Sequence, residues 1–286
     1  MKEPLHIAAI GDIHGCLKNT YIPKCDVLTI SGDFSGLCLD RQTSYDGPLC
    51  NWITNKFLPW LIGLPCNRVI FIPGNHDFIT EHDWFRQWFN TQLKAMDKNY
   101  PGTNEDNKPS RKIVYLCYDL YEYKGYKFYG CPTSDIINWA WSANNDYTKY
   151  KVPAGTDILL VHQAPDWMDL GTSHFGGGVT RNFGSTMLLN ALADDPKNLP
   201  ALLLCGHIHS GNHQPVLYEL YDEDHRIHSC VMANVSTKDE DYYEYFHCRN
   251  FILTPVYNQT HIETWVSPVE DLHEIKKYNR RDNFIV

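Results

Sequence analysis

The chain has no C-x-x-C pair among its ten cysteines, no apolar run near the length of a membrane span, and no surplus of basic residues. Each absence removes a class of protein. Scattered cysteines, several of them inside apolar runs, argue against a disulfide framework, so reduced and mostly buried thiols are expected. The missing apolar run excludes a membrane-spanning helix. Met1-Lys2-Glu3-Pro4 leads into the first strand with no apolar stretch and no small-residue cleavage site, so no secretory leader is expected and a cytoplasmic location is. With 34 acidic against 25 basic residues and a formal charge of −9, the chain lacks the basic surface that releases counterions from long nucleic acid.

The 286 residues, 43% hydrophobic, suffice for a sizeable core. Apolar stripes predict helices over 51–61 (Trp52, Phe57, Trp60, Leu61) and 81–96, where Trp84, Phe85, Trp88 and Phe89 recur at helical spacing as core residues. A polar, Pro- and Gly-bearing stretch at 97–112 reads as a mobile surface loop. Strands are expected at 113–116 and 126–129, joined as a hairpin through Lys124-Gly125. Residues 132–150 read as irregular. A flexible Gly-rich run containing Gly176-Gly177-Gly178 and Arg181 follows, then a helix over 187–193 capped by Ser185. Strand signals at 216–221, 227–235, 251–257 and 261–266 dominate the last third.

What carries chemistry is a set of polar fragments in a fixed order: Gly11-Asp12-Ile13-His14-Gly15, Gly32-Asp33, Gly74-Asn75-His76-Asp77, Val161-His162-Gln163 and Gly206-His207-Ile208-His209. Each follows a short apolar run, at 7–10, 27–30, 69–72, 158–161 and 202–204, that reads as a buried strand. The polar groups therefore sit where strands end and loops begin. Asp12 and His14, two apart on an expected extended segment, can point the same way and share one ion. Asp33 offers two carboxylate oxygens, Asn75 an amide oxygen, and His162, His207 and His209 imidazole nitrogens. That mixed set suits Mn, Fe, Zn or Ni rather than Mg or Ca.

In this order the fragments resemble the calcineurin-like metallophosphoesterases, whose pattern is D-x-H, GD, GNH[DE], H, GHxH. The resemblance covers roughly the whole chain. It implies an α/β fold, a two-sheet β-sandwich flanked by helices in four αββα layers, formed by one domain over 1–286 with insertions around 40–62 and 80–150. It assigns Asp12, His14, Asp33 and His209 to a first divalent ion, and Asp33, Asn75, His162 and His207 to a second. Asp33 is thereby a bridging and catalytic residue. His76 resembles the family's catalytic histidine, placed to protonate the leaving oxygen or to stabilise charge on the phosphoryl group, a role contributing ~10²–10⁴-fold. Of the candidate metals, Mn is expected to support activity in vitro. Two divalent ions, less two carboxylates and a hydroxide, leave the site about one unit positive, enough to attract a phosphate anion.

Protein Ser/Thr phosphatases of the family end the second fragment in Asp-Arg-Gly, whose arginine grips a phosphomonoester. Here it reads Gly32-Asp33-Phe34-Ser35-Gly36, without that arginine. The chain is more similar to small stand-alone members related to the mammalian metallophosphoesterase-domain proteins, through His162-Gln163-Ala164-Pro165, Gly206-His207-Ile208-His209-Ser210-Gly211, Asn234-Val235-Ser236 and Asp239-Glu240-Asp241-Tyr242. That branch implies small phosphodiester or nucleotide substrates, cyclic nucleotides among them. Gln163-Ala164 departs from a usual Gly-Pro. Trp139, Trp141 and Tyr147 are expected either to line the substrate cleft or to pack in a surface loop. Of the other histidines, His174 and His213 fall on loops near the site, while Arg181 either contacts phosphate or faces solvent. A metal-dependent nuclease is the enzyme alternative, since bound metals add positive charge that the formal count omits. A non-catalytic scaffold is the other, although such scaffolds have lost ligands that are all present here.

Overall fold

The computed structural model describes residues 2–18, 21–97, 112–175, 178–243, 246–256 and 259–266. Strands β1 (Leu5–Ile10) and β2 (Cys25–Ser31) lead into a helical stretch: α1 (Pro48–Trp52), a π-helical segment (Ile53–Phe57) and α2 (Leu58–Gly63). Next come β3 (Cys66–Ile72), α3 (Phe85–Asp97), β4 (Ile113–Tyr115), β5 (Leu120–Tyr123), β6 (Tyr126–Cys131), β7 (Ile158–Val161), β8 (Thr172–Phe175), β9 (Val179–Asn182) and α4 (Thr186–Ala193). The chain continues through β10 (Leu202–Cys205), β11 (Val216–Tyr221), β12 (Ile227–Asn234), β13 (Arg249–Val256) and β14 (Gln259–Val266).

Two six-stranded sheets form, in the orders β14-β13-β1-β2-β3-β4 and β11-β12-β10-β7-β6-β5. Strands β1 to β4 run parallel, as do β6, β7, β10 and β12, while the hairpin-connected strands at the edges are antiparallel. Period-two alternation splits each central strand between two cores. Ile7, Val27, Ile70 and Ile72 meet Phe128, Ile158, Leu160, Leu202 and Leu204 between the sheets. On the outer face of the first sheet, Ala8, Ile10, Leu28, Ile30 and Phe71 pack on Ile53, Phe57, Leu61, Phe85 and Phe89. On the outer face of the second, Leu159, Val161 and Leu203 pack on Leu188 and Leu192 of α4. The result is the four-layer αββα sandwich. All ten cysteines are free thiols. Among the described residues no helix is long and apolar enough to cross a membrane.

Parallel neighbours place their carboxyl ends on one rim, so β1, β2 and β3 from one sheet and β7 and β10 from the other deliver their following residues to a common place. The rims are tied together: the Ser31 hydroxyl donates to the Leu204 carbonyl at 3.1 Å, and Gly11 bridges to Ser236.

Three expectations need correction. The expected hairpin partner at 113–116 instead forms β4, which adds parallel to β3 in the first sheet. The true partner of β6 is β5, and the turn between them has positive φ at both Lys124 (51°) and Gly125 (77°), as a two-residue hairpin turn of right-handed twist requires. The Gly-rich run is flanked by β8 and β9, which pair as a small antiparallel ribbon on which Arg181 is exposed. Helix α3 begins at Phe85, a turn later than its aromatic spacing suggests, because a 3₁₀ turn at Phe78–Glu81 precedes it. The expected loop at 97–112 lies almost wholly outside the described residues.

Ser185 caps α4 through its side chain, which accepts from the Leu188 amide at 3.0 Å in a fully buried setting. Ser185→Ala should lower the unfolding free energy by about 1 kcal/mol, read from denaturant midpoints at constant m-value. An unchanged midpoint would show that the cap is not stabilising.

Candidate metal centre

The residues that leave the strand ends do so in left-handed backbone, not in the extended geometry that a two-residue spacing suggests. Asp12, His14, Asp33 and His207 have φ of 52°, 43°, 52° and 70°. Such conformations cost a non-glycine residue about 1–2 kcal/mol each and concentrate at functional sites. Asp12 and His14 thus converge through twisted main chain. The first two loops hold one another, with the Asp12, His14 and Gly15 amides donating to the carbonyls of Gly32, Asp33 and Phe34 at 2.9–3.0 Å.

Glycine is needed where these loops crowd the ligands. At Gly32, whose φ is +94°, a Cβ would lie 2.2 Å from His162 Nδ1, and at Gly74 it would lie 2.3 Å from Asp33 Oδ1. Asp77, fully buried, fastens the third loop to the second by accepting from the amides of Gly74 (2.8 Å), Ser35 (2.9 Å) and Phe34 (3.3 Å). Burial and the charge of Asp33 push its carboxyl up to about 7.

All seven expected ligands are brought together. The Ser31 carbonyl, which can only accept, lies 3.0 Å from His162 Nδ1, so Nδ1 donates to it and Nε2 is the ring atom turned inward. Nε2 faces Asn75 Oδ1 at 2.7 Å and Asp33 Oδ2 at 3.5 Å; burial opposes charge on this ring, yet the Asp33 carboxylate raises its pKa to about 9, so an ion at Nε2 would take the place of a proton. The Asp239 carbonyl fixes His209 in the same way, leaving its Nε2 facing His14 Nε2 at 3.3 Å and Asp12 Oδ1 at 3.8 Å. His14 Nε2 is 3.7 Å from Asp33 Oδ2, and His14 Nδ1 is buried with no hydrogen-bond partner. The groups Asp12, His14, His209 and Asp33, His162, His207 each place their ligand atoms within 4.8 Å of one another. Asn75 adjoins the second, and Asp33 reaches into both.

Imidazole nitrogens, carboxylate oxygens and an amide oxygen that converge in a buried space are satisfied by protons on the imidazoles or by cations among them. The donor set therefore fits two divalent ions. The burial that pushes Asp12 up and drives His14 and His207 well below the usual imidazole range shows how little solvent helps these groups. Burial also opposes charge on Asp33, yet the imidazoles around it, His162 foremost, hold its carboxyl well below the usual range.

His76 stands at the edge of this cluster. Its Nδ1 lies 3.0 Å from Asp40 Oδ2, its amide donates to Asp33 Oδ1 at 2.8 Å, and its ring is 5.0 Å from that of His14. The ring also packs against Trp139, with 4.6 Å between centroids. A cavity of about 540 Å³ opens over Asp33, Asn75, His76, His207 and His209, walled by Asp135, Ile136, Trp139, Gln163, Phe183 and Tyr242. Tyr242 sits edge-on to His14 and His209, each 5.0 Å away.

Of the three aromatic residues expected either at the cleft or in surface-loop packing, Trp139 lines the cavity and Trp141 and Tyr147 do not. The Trp141 indole donates to Thr80 Oγ1 at 2.8 Å, and Tyr147 is exposed on a short 3₁₀ turn. His213 supports the site from behind: its Nε2 lies 2.7 Å from the His209 carbonyl, and burial lowers its pKa to about 4. His174 is exposed, and its amide donates to Ser210 Oγ. Sequence reasoning missed Asp40, Asp135, Phe183, the cavity roles of Glu240 and Tyr242, and Lys238, which is 2% exposed and near enough for its charge to lower the His14 pKa further. Asp40 follows Asp33 by seven residues in a stretch without periodicity, so no local signal marks it.

The family model described as Calcineurin-like phosphoesterase matches residues 5–211, and the chain belongs to that family. It is similar to the human and mouse metallophosphoesterase domain-containing protein 1, at 26% identity over 216 residues, covering 71% of this chain and 60% of either relative. A UPF0046 protein of Caenorhabditis elegans is 28% identical over 217 residues, covering 73% of this chain and 70% of its own length. The match thus spans about three fifths of the mammalian relatives.

Because Asp33 reaches both ligand groups whereas His209 belongs to one, Asp33→Ala should lose more metal than His209→Ala. Metal content by plasma mass spectrometry after loading with Mn²⁺ checks this. Equal stoichiometry in the two variants would contradict the placement of Asp33 between two ions.

Proposed function

We propose that the chain is a metal-dependent phosphoesterase that hydrolyses small phosphodiesters, cyclic nucleotides among them. The convergence of seven candidate ligands beside His76, four of which line one cavity, carries this reading. Asp12, His14, Asp33 and His209 would hold one divalent ion, and Asp33, Asn75, His162 and His207 the other, with Mn, Fe, Zn or Ni suited to the mixed donors and Mn expected to support activity in vitro. When bound, such a pair activates water, polarises phosphoryl oxygens and stabilises an in-line displacement.

The chain's own residues do the rest. The Ser31 and Asp239 carbonyls fix the imidazoles of His162 and His209, which keeps their Nε2 atoms aimed inward. Asp40 holds His76 by its Nδ1–H, which leaves Nε2 to deliver a proton to the departing oxygen. Trp139 limits the imidazole's freedom to turn and excludes water from one side. Among the described residues, no Lys or Arg walls the cavity. A monoanionic diester is matched by the metal charge alone, whereas a dianionic monoester gains most from an added cation.

His76→Ala should keep its metals and lose ~10²-fold or more in turnover, with a smaller loss on activated aryl esters whose leaving groups need no proton. Asp40→Asn should shift the same way by a smaller factor, because the imidazole keeps a neutral acceptor. Equal losses on activated and unactivated esters would count against proton delivery, and metal loss would make His76 a ligand.

The diester reading is tested by kcat/KM for an aryl diester, the matching monoester, 2′,3′- and 3′,5′-cyclic nucleotides and single-stranded oligonucleotides, with added Mn²⁺. Preference for the diester is expected. A monoester preference above about tenfold, ~1.4 kcal/mol in transition-state binding, would reject it, and efficient cutting of oligonucleotides would favour a nuclease.

A further inference from the structure

Arg41 has no part in the chemistry above, yet the fold fixes it against the cavity wall. Its guanidinium carbon lies 3.8 Å from the centre of the Phe78 ring and 4.7 Å from that of Trp139. Trp139 lines the cavity and touches His76, while Arg41 does not line it and is exposed. The guanidinium therefore stands at the outer side of that wall. Its backbone is anchored by the preceding residue, since Asp40 is buried and bonded to His76. The salt bridges among the described residues use other basic side chains.

Stacking fixes the plane of a guanidinium without using its in-plane N–H groups. A planar donor edge held at low entropic cost is what bidentate capture of a carboxylate or phosphate needs. An exposed arginine serving only solubility requires no such clamp. Contacts with Phe78 and Trp139 hold this one beside a cavity whose own walls carry no Lys or Arg among the described residues.

We infer that Arg41 is a specificity-determining residue that binds a second oxyanion on the substrate, a carboxylate or a phosphate, remote from the phosphoester that is cleaved. The inference rests on the diester reading and narrows it to diesters carrying an additional negative group. Arg41 acts on binding and not on bond cleavage, so its effect falls on KM.

The test uses the Mn²⁺-loaded full chain and p-nitrophenyl alkyl phosphates that share one leaving group. Their alkyl chains, two to four carbons long, end in methyl, carboxylate or phosphate. For the wild type, the best anionic ester should have a KM about tenfold or more below its methyl counterpart. Arg41→Met, which keeps an apolar side chain against both rings, should remove that difference with kcat unchanged, and Arg41→Lys should restore part of it. Comparing the carboxylate and phosphate arms shows which oxyanion is preferred. Equal KM for methyl and anionic esters in the wild type would overturn the inference, as would an equal KM rise for both in Arg41→Met. A fall in kcat on the methyl esters would place Arg41 at the reacting phosphoryl group and overturn its remote role. Failure of the diester reading would look different, with every diester cut poorly beside rapid cleavage of p-nitrophenyl phosphate. In that event the anionic diesters, used as competitive inhibitors, must bind wild type more tightly than Arg41→Met for the inference to stand.

Discussion

A buried cluster of inward-facing imidazole nitrogens and carboxylates is the constraint on which this molecule turns. His162 and His209 each give their Nδ1 proton to a main-chain carbonyl, so Nε2 is the ring atom that each turns toward Asn75, His14 and the carboxylates in front of them. The carboxylates there demand positive charge, which a proton on His162 supplies and divalent cations would supply in its place. The left-handed backbone at Asp12, His14, Asp33 and His207 and the close glycine contacts at Gly32 and Gly74 follow from the same demand. They are costs to the apoprotein that ion binding offsets. The outer layers and the core between the sheets exist, in this view, to hold five strand ends on one rim.

Charge is arranged at two scales. The chain as a whole carries a formal charge of −9, whereas two divalent ions among the candidate ligands would make the floor of the cavity locally positive. Asp77 and Asp40 lie just outside the ligand set and act by hydrogen bonding: Asp77 clasps the loops of Asp33 and Asn75, and Asp40 orients His76. Mixed sites of this kind separate structural carboxylates from ligating ones by a few ångströms, so composition alone cannot tell them apart.

Much of the sandwich was legible because its central strands are buried on both faces and end abruptly in polar residues. Ile7 to Ile10 followed by Gly11-Asp12, and Ile158 to Val161 followed by His162, announce both the strand and the place where chemistry follows. Legibility failed where a strand is short or half-exposed. In β5, Leu120 and Glu122 are exposed, so its signal is weak, and the stronger apolar run at β4 drew the hairpin assignment although its partner is β3 in the other sheet. The β8–β9 ribbon was hidden by the glycines between its strands. Asp40, Phe183 and Arg41 were invisible for another reason, since their contacts with the site are made only by the folded chain. Trp139 and Trp141 are two apart and alike in sequence, yet one meets His76 and the other the Thr80 hydroxyl.

The central claim is that the ligand cluster holds a pair of ions with Asp33 between them. Anomalous diffraction from crystals grown with Mn²⁺, collected on both sides of the metal absorption edge, tests it without reference to any substrate. Two peaks about 3.5–4 Å apart are expected, one within reach of Asp12, His14 and His209 and the other of Asn75, His162 and His207, with the Asp33 carboxylate shared. A single peak, or two peaks with Asp33 turned away from one of them, would contradict the account.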